Sequence, residues 1–347
     1  MLINKNEYFQ TIQQIKEQIQ SSQYRAIKSV NKELILLYWN IGNVILENSE
    51  WGNKFIDILA KDIKIEFPTL KGFSVRNLKY MRKFAELYTD FQFVQTVSAQ
   101  ITWSHNIEIM NKVKSYDEKI WYIENAIENG WSLNILIHQI KTNLYRRQVV
   151  VEKTTNYEKN LSKIQSALAK GALKDPYIFD FITFRDDMIE IELEKELVKQ
   201  ITRLLLELGS GFAFVGNQYH IAVAGEDFYI DLLFYHLKLK CYVVIELKTG
   251  KFVPEYAGKL NFYLSAVDDS LKTEQDNPTI GLLLCREKNK LIAEYALKDM
   301  TKPMGVSEYK FFEELPKEFE DNLPTVEDLE KRINCFDGEI CTDEKED

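Results

Sequence analysis

Apolar residues recur at helical spacing through most of residues 5–146. Ile12, Ile15 and Ile19 form one run and Leu34, Leu37, Ile41 and Val44 another. Ser74 stands where an N-cap belongs, and the helix it opens puts Val75, Leu78, Met81 and Phe84 or Ala85 on one face. Arg76, Lys79, Arg82 and Lys83 fall on the other. A helix over about 53–66 precedes it, ended by Phe67-Pro68, with Gly72 in the turn, so the outline is helix-turn-helix. Further helices are expected over about 116–128, closed by Gly130, and from Ser132 to about 147. The polar stretch from Val151 reads as a linker. From about residue 176 the period changes. Glu190–Leu208 is an amphipathic helix striped by Leu193, Leu197, Ile201, Leu204, Leu205 and Leu208, and Gly209-Ser210-Gly211 stops it. Strand-like runs follow at Phe212–Val223, Phe228–His236 and Cys241–Lys248, then a helix from Pro254 to Asp268, a strand over Thr279–Cys285, a helix over Asn289–Lys298, and a loop. That order, α-β-β-β-α-β-α, predicts an α+β chain. An all-α N-terminal domain precedes a core whose hairpin and helical crossover make a mixed sheet.

Composition alters this picture little. The 347 residues suffice for two domains. No apolar run approaches the ~20 residues of a membrane span, and the first residues lack the apolar core of a signal peptide. Cys241, Cys285, Cys335 and Cys341 form no CxxC pair, which fits reduced thiols in a cytosol. The net charge of −9 is unevenly spread. Residues 1–150 hold 19 Lys/Arg against 15 Asp/Glu, whereas 311–347 hold 4 against 14 and form an acidic tail. Segregation of this kind permits a basic surface on an acidic chain.

The candidate chemistry lies in the hairpin. Asp231, Glu246 and Lys248 interrupt β-branched and aromatic runs, where charge is costly unless paired or bound to metal. Glu246 and Lys248 are two apart and share a face. With a loop near Leu237–Lys240, pairing His236 with Cys241 carries Asp231 opposite Glu246, Cβ atoms roughly 4.5–5.5 Å apart. Two carboxylates that close call for a cation, and hard oxygen ligands favour Mg²⁺ or Mn²⁺. His105, His138, His220 and His236 are dispersed, no glycine loop is followed by Lys-Ser/Thr, and Gly209-Ser210-Gly211 follows a helix, so no nucleotide cofactor is expected.

Four segments go further: 207–218 (ELGSGFAFVGNQ), 227–236 (DFYIDLLFYH), 243–264 (VVIELKTGKFVPEYAGKLNFYL) and 278–285 (PTIGLLLC). With Leu-Tyr-Trp-Asn-Ile-Gly (37–42), Trp-Ser-His (103–105) and Gly-Trp-Ser (130–132), they resemble the YhcG-like family of the PD-(D/E)XK nuclease superfamily along nearly the whole chain. The resemblance implies a restriction-endonuclease-like core over 176–310 after a helical domain over 1–150 and a linker over 151–175. It implies an Mg²⁺- or Mn²⁺-dependent endonuclease acting on DNA, in bacterial cytoplasm, off the membrane and open to homodimerisation. Branched DNA, recombination and restriction are the settings it brings. Asp231 and Glu246 match the metal-binding acids, with the Leu247 carbonyl as a further ligand, and Lys248 matches the catalytic lysine. Glu194 stands at the place of a glutamate on the first core helix. Tyr263 matches a tyrosine after the motif, and Lys259 takes the place of a glutamine four residues before it. The superfamily's proline before the aspartate is Ile230. Lys259, Tyr263, Gln218, Lys251, Arg76 and Lys79 are the expected nucleic-acid contacts. The rival expectation is a DNA-binding or protein-interaction module on a nuclease fold that needs a partner.

Overall fold

The computed structural model describes residues 5–48, 54–183, 185 and 187–311. The chain divides into two compact units, up to Ile140 and from Lys141. The acidic segment expected over 311–347 lies, after Phe311, outside the described residues.

The first unit is helical: α1 (Lys5–Glu47), α2 (Phe55–Glu66), α3 (Val75–Leu87), α4 (Phe91–Thr96), α5 (Trp103–Lys112), α6 (Tyr116–Glu128) and α7 (Leu133–Lys141). Ser74 caps α3, its hydroxyl accepting from the Asn77 N–H at 3.3 Å. Leu78, Met81, Phe84 and Ala85 are buried as the pattern predicts, and Arg76, Lys79, Arg82 and Lys83 are exposed. Tyr38, Ile45, Ile56, Leu78 and Met81 form the core beneath the α2–α3 turn. Gly42 is where α1 and α3 touch: a Cβ there would stand 2.1 Å from the Met81 carbonyl oxygen. The buried face of α1 is therefore Ile35, Tyr38, Gly42 and Ile45, not the predicted stripe. Leu34, Leu37 and Val44 of that stripe are exposed, along with Ile27 and Val30. This helix is apolar on two faces, and periodicity alone does not say which one packs.

The second unit holds β1 (Thr154–Thr155), α8 (Tyr157–Asn160), α9 (Lys163–Ala172), β2 (Tyr177–Phe179), α10 (Glu190–Lys199), α11 (Ile201–Leu208), β3 (Phe212–Val223), β4 (Glu226–His236), β5 (Cys241–Leu247), α12 (Glu255–Ser270), β6 (Ile280–Cys285), α13 (Lys290–Lys298) and β7 (Met304–Phe311). The sheet runs β1-β7-β6-β5-β4-β3, with β2 also paired to β7. The β3–β4–β5 meander is antiparallel and β5–β6–β7 parallel, the expected mixed sheet. Residues alternate between two cores. Leu232, Phe234, Val243, Ile245 and Leu247 meet Leu193, Leu197, Leu204 and Leu208 of α10 and α11. Leu233, Val244, Leu283 and Cys285 meet Leu260, Leu264 and Val267 of α12 and Ala293 of α13. Burial on both faces explains why β5 and β6 read as continuous apolar runs.

The segment read as a linker over 151–175 is built into this unit. Thr154 and Thr155 pair with β7, and Tyr157 and Leu173 are buried in the first core. The Asn156 amide donates to the carbonyls of Leu297, Met300 and Lys302, and its oxygen accepts from the Met304 N–H at 2.8 Å. Polar composition misled here because backbone groups satisfy the polar side chain. Nor is the chain after Lys298 merely a loop: β7 carries Ser307 and Glu308 between apolar residues, yet lies parallel to β6.

Candidate active site

The predicted hairpin register holds: Leu232 pairs with Ile245, and the ladder continues to His236 with Cys241. One step beyond the last pair stand Asp231 and Glu246. There the Asp231 carboxylate takes the place of a strand carbonyl, accepting the Leu247 N–H on Oδ2 at 2.9 Å. Alternation along β5 turns Val243, Ile245 and Leu247 to one core and Glu246 to the side of α12. Glu246 is fully buried. Its Oε1 lies 3.0 Å from Lys248 Nζ and accepts from Lys259 Nζ, on α12, at 2.6 Å. Its Oε2 is buried with no hydrogen-bond partner among the described residues.

Lys248 is fastened from three sides, donating to Glu190 Oε2 at 2.8 Å and to the Leu247 carbonyl at 2.9 Å besides its contact with Glu246. Its ammonium lies 5.2 Å from the ring centroid of Tyr256, and that of Lys259 the same distance from Tyr263. Burial pulls the Lys248 ammonium down, but the Glu190 hydrogen bond and the Glu246 charge outweigh it and hold it above the usual lysine range. For Lys259, too, burial is outweighed, here by Glu246. Asp231 is pushed up to about 7, first by burial and then by the charge of Glu246. Tyr263 is buried, and burial raises its hydroxyl.

A divalent ion fits this donor set. Among the described residues no group of three or more His, Cys, Asp and Glu side chains is arranged to hold a metal. Mg²⁺, however, is commonly held by one or two carboxylates together with water and substrate phosphate. The Glu246 oxygen without a donor and the raised Asp231 carboxyl supply those two carboxylates. The Leu247 carbonyl receives one ammonium hydrogen and keeps a second lone pair.

Residues 170–324 match a family model described as the YhcG PDDEXK nuclease domain, and residues 14–147 match the DUF1016 N-terminal domain. The chain is 29% identical over 337 residues to "Putative nuclease YhcG" of Escherichia coli (strain K12), covering 86% of this chain and 88% of that one. The chain thus carries a YhcG-like PD-(D/E)XK nuclease domain after a DUF1016 N-terminal domain. Among solved structures it is similar to a repair endonuclease from Pyrococcus abyssi (14% identity, TM-score 0.25) and to the EndoMS–dsDNA2 complex (16%, TM-score 0.26). Each likeness covers 38% of this chain, which spans about half of each of those chains, 49% and 48%.

Within this YhcG-like nuclease domain the sequence-predicted residues part company. Asp231, Glu246, Leu247, Lys248, Lys259 and Tyr263 come together. Glu194 is buried, but its contacts are with β3: Asn217 donates to Oε1 at 2.9 Å and Gln218 to Oε2. Gln218, expected on nucleic acid, is thereby engaged by Glu194, in a left-handed backbone conformation (φ 43°). Lys251 pairs with Glu287 at 3.0 Å. Arg76 sits 5.8 Å from the Tyr80 ring in the helical unit, and Lys79 is exposed on the same helix. Glu190 and Tyr256 were missed. Glu190 lies one helical turn before Glu194 and so shares its face. Tyr256 lies three residues before Lys259 on α12. Both signals were present in the helical spacing, but only contacts distinguish one turn from the next.

Proposed function

We propose that this chain is an endonuclease that hydrolyses DNA phosphodiesters with Mg²⁺ or Mn²⁺, the DNA being met by the nuclease domain and by the basic face of α3. One observation carries the reading: a buried glutamate with two ammonium groups on one oxygen and, among the described residues, no donor on the other, beside a second carboxylate whose proton affinity is raised. Asp231, Glu246 and the Leu247 carbonyl would hold the ion. Bound there, it would polarise a phosphate oxygen and lower the pKa of coordinated water. Lys248 stays protonated across the physiological range, so its part is to orient the incoming nucleophile and offset charge developing on phosphate. Glu190 fixes the lysine's direction. Tyr256 and Tyr263 wall the lysines on the α12 side.

Homodimerisation belongs to the same reading. Ile27, Val30, Leu34, Leu37, Ile41 and Val44 alternate at steps of three and four along α1, the seam of a helix that pairs with another helix. Five of the six are exposed, Ile41 being half-buried. No described helix is long and apolar enough to cross a membrane. We take the bacterial cytoplasm as the compartment, in keeping with the free buried cysteines 241 and 285.

The test uses purified chain with Mg²⁺ or Mn²⁺ on a panel of linear, flapped and four-way-junction DNA. Asp231→Asn, Glu246→Gln and Lys248→Met should each cut at least about a hundredfold more slowly while keeping wild-type circular dichroism. Undiminished cleavage by all three variants would refute the assignment.

A further inference from the structure

Two ammonium groups converge on one oxygen of Glu246, and they are not equivalent. Lys248 is 7% exposed, with Glu190 and the Leu247 carbonyl as further acceptors. Withdrawing it would take a cation from Glu190 and from the buried Glu246 at once. Lys259 reaches in from solvent: its side chain is 46% exposed, while that of Glu246 is wholly buried. It stands on the first half of α12, over the Tyr263 ring. If it lets go of Glu246, water and the ring face remain to it. Any cation approaching Glu246 meets this competitor on Oε1 and an undonated Oε2 beside it.

We propose that Lys259 is a built-in competitor for the divalent ion: its ammonium holds Glu246 until metal displaces it, so that it sets the metal concentration at which the site becomes competent. The inference rests on the divalent-ion reading above and adds a role for the one cation of the pair that can leave. Lys248 remains in place through the exchange; Lys259 gives up Oε1 and withdraws towards solvent. Divalent binding thus works against a positive charge that starts within hydrogen-bonding distance of a metal ligand, and that competition is removed with the lysine. A residue that merely braced the Glu246 rotamer would behave oppositely, since its loss would loosen the ligand and weaken metal binding.

The experiment titrates the full chain with Mn²⁺ and follows free Mn²⁺ by electron paramagnetic resonance, with no DNA present. Wild type should bind, and Asp231→Asn should lose that binding. Lys259→Met should bind Mn²⁺ about three- to tenfold more tightly than wild type, whereas Lys259→Arg, which keeps the charge, should stay within about twofold. Lys259→Gln should move in the same direction as Lys259→Met and decides the matter if the methionine variant misfolds. Unchanged or weaker binding by the charge-removing variants overturns the competitor role and leaves the nuclease reading standing. Absence of Mn²⁺ binding by wild type into the millimolar range overturns both.

Discussion

A carboxylate with no solvent contact has to find its charge balance in neighbouring side chains, and Glu246 finds it in two lysines on one oxygen. Asp231 lacks that balance, and its proton affinity rises accordingly. Lys248 depends on acids at both ends, and Glu190 is the one that does not also serve as a candidate metal ligand. Substituting Glu190→Gln should slow cleavage about tenfold, the usual cost of losing a partner one step removed from the ligands. The Kd for Mn²⁺ should stay within about twofold, which separates positioning of the lysine from loss of the metal. Asp231, Glu246 and Lys248 could be named from sequence because strand alternation and hairpin register are arithmetic. Glu194 could be named too, but the same arithmetic on a helix allows one turn of slip. The turn that reaches Lys248 begins with Glu190, while Glu194 meets Asn217 and Gln218.

At the scale of elements, α3 joins two properties visible in the sequence: a buried apolar face and an exposed basic one. If that basic face meets DNA, Arg76→Ala/Lys79→Ala/Arg82→Ala together should weaken binding. The slope of log K against log salt should also become shallower by roughly 3, one unit for each phosphate that a removed cation had neutralised, as read by fluorescence anisotropy across a salt series. Lys83 is left out because its ammonium already serves the Met110 carbonyl at 3.1 Å. The crossing of α1 over α3 depends on Gly42. Gly42→Ala would drive a methyl into the Met81 carbonyl, and urea unfolding should show a stability lower by about 1–3 kcal/mol. This crossing was not legible beforehand. Leu34, Leu37 and Val44 have the stronger apolar pattern, but the close approach requires the face without bulk.

At the scale of the whole molecule, the second unit is a sheet covered on both sides, and its thiols report that enclosure. Cys241 faces one core and Cys285 the other. Burial pushes both from 9.0 up to about 12. A raised acid pKa favours folding while the unfolded thiol is still neutral. Stability is therefore intact below pH 9 and declines as pH climbs towards 12, by up to about 1.4 kcal/mol per pH unit for each thiol. Urea unfolding at pH 8, 9 and 10 should show this fall, shallower in Cys241→Ala/Cys285→Ala. At pH 8 both thiols should resist iodoacetamide in the folded chain. A second enclosure ties the end of the stretch read as a linker, and the residues just before it, to the core. Arg147, 4% exposed, donates to Glu207 at 2.6 Å, with Lys174 alongside. Burial would raise the Glu207 carboxyl, but these cations hold it below its ordinary range. Nothing in the composition of 151–175 announced this, because the partner of Lys174 lies 33 residues away along the chain.

Local rules were enough to set the two helix-and-sheet halves, the hairpin register, the α3 cap and the placing of two acids and a lysine at one end of a strand pair. Each depends on spacing within a single element or turn, where backbone geometry leaves few choices. Tertiary packing decided which face of α1 is buried, that residues 154–155, 177–179 and 304–311 join the sheet, that Glu190 meets the lysine while Glu194 meets Asn217 and Gln218, and that Lys259 rests on Glu246. Those outcomes depend on packing between segments far apart in sequence. Several residues satisfy the same local pattern there, and burial selects among them.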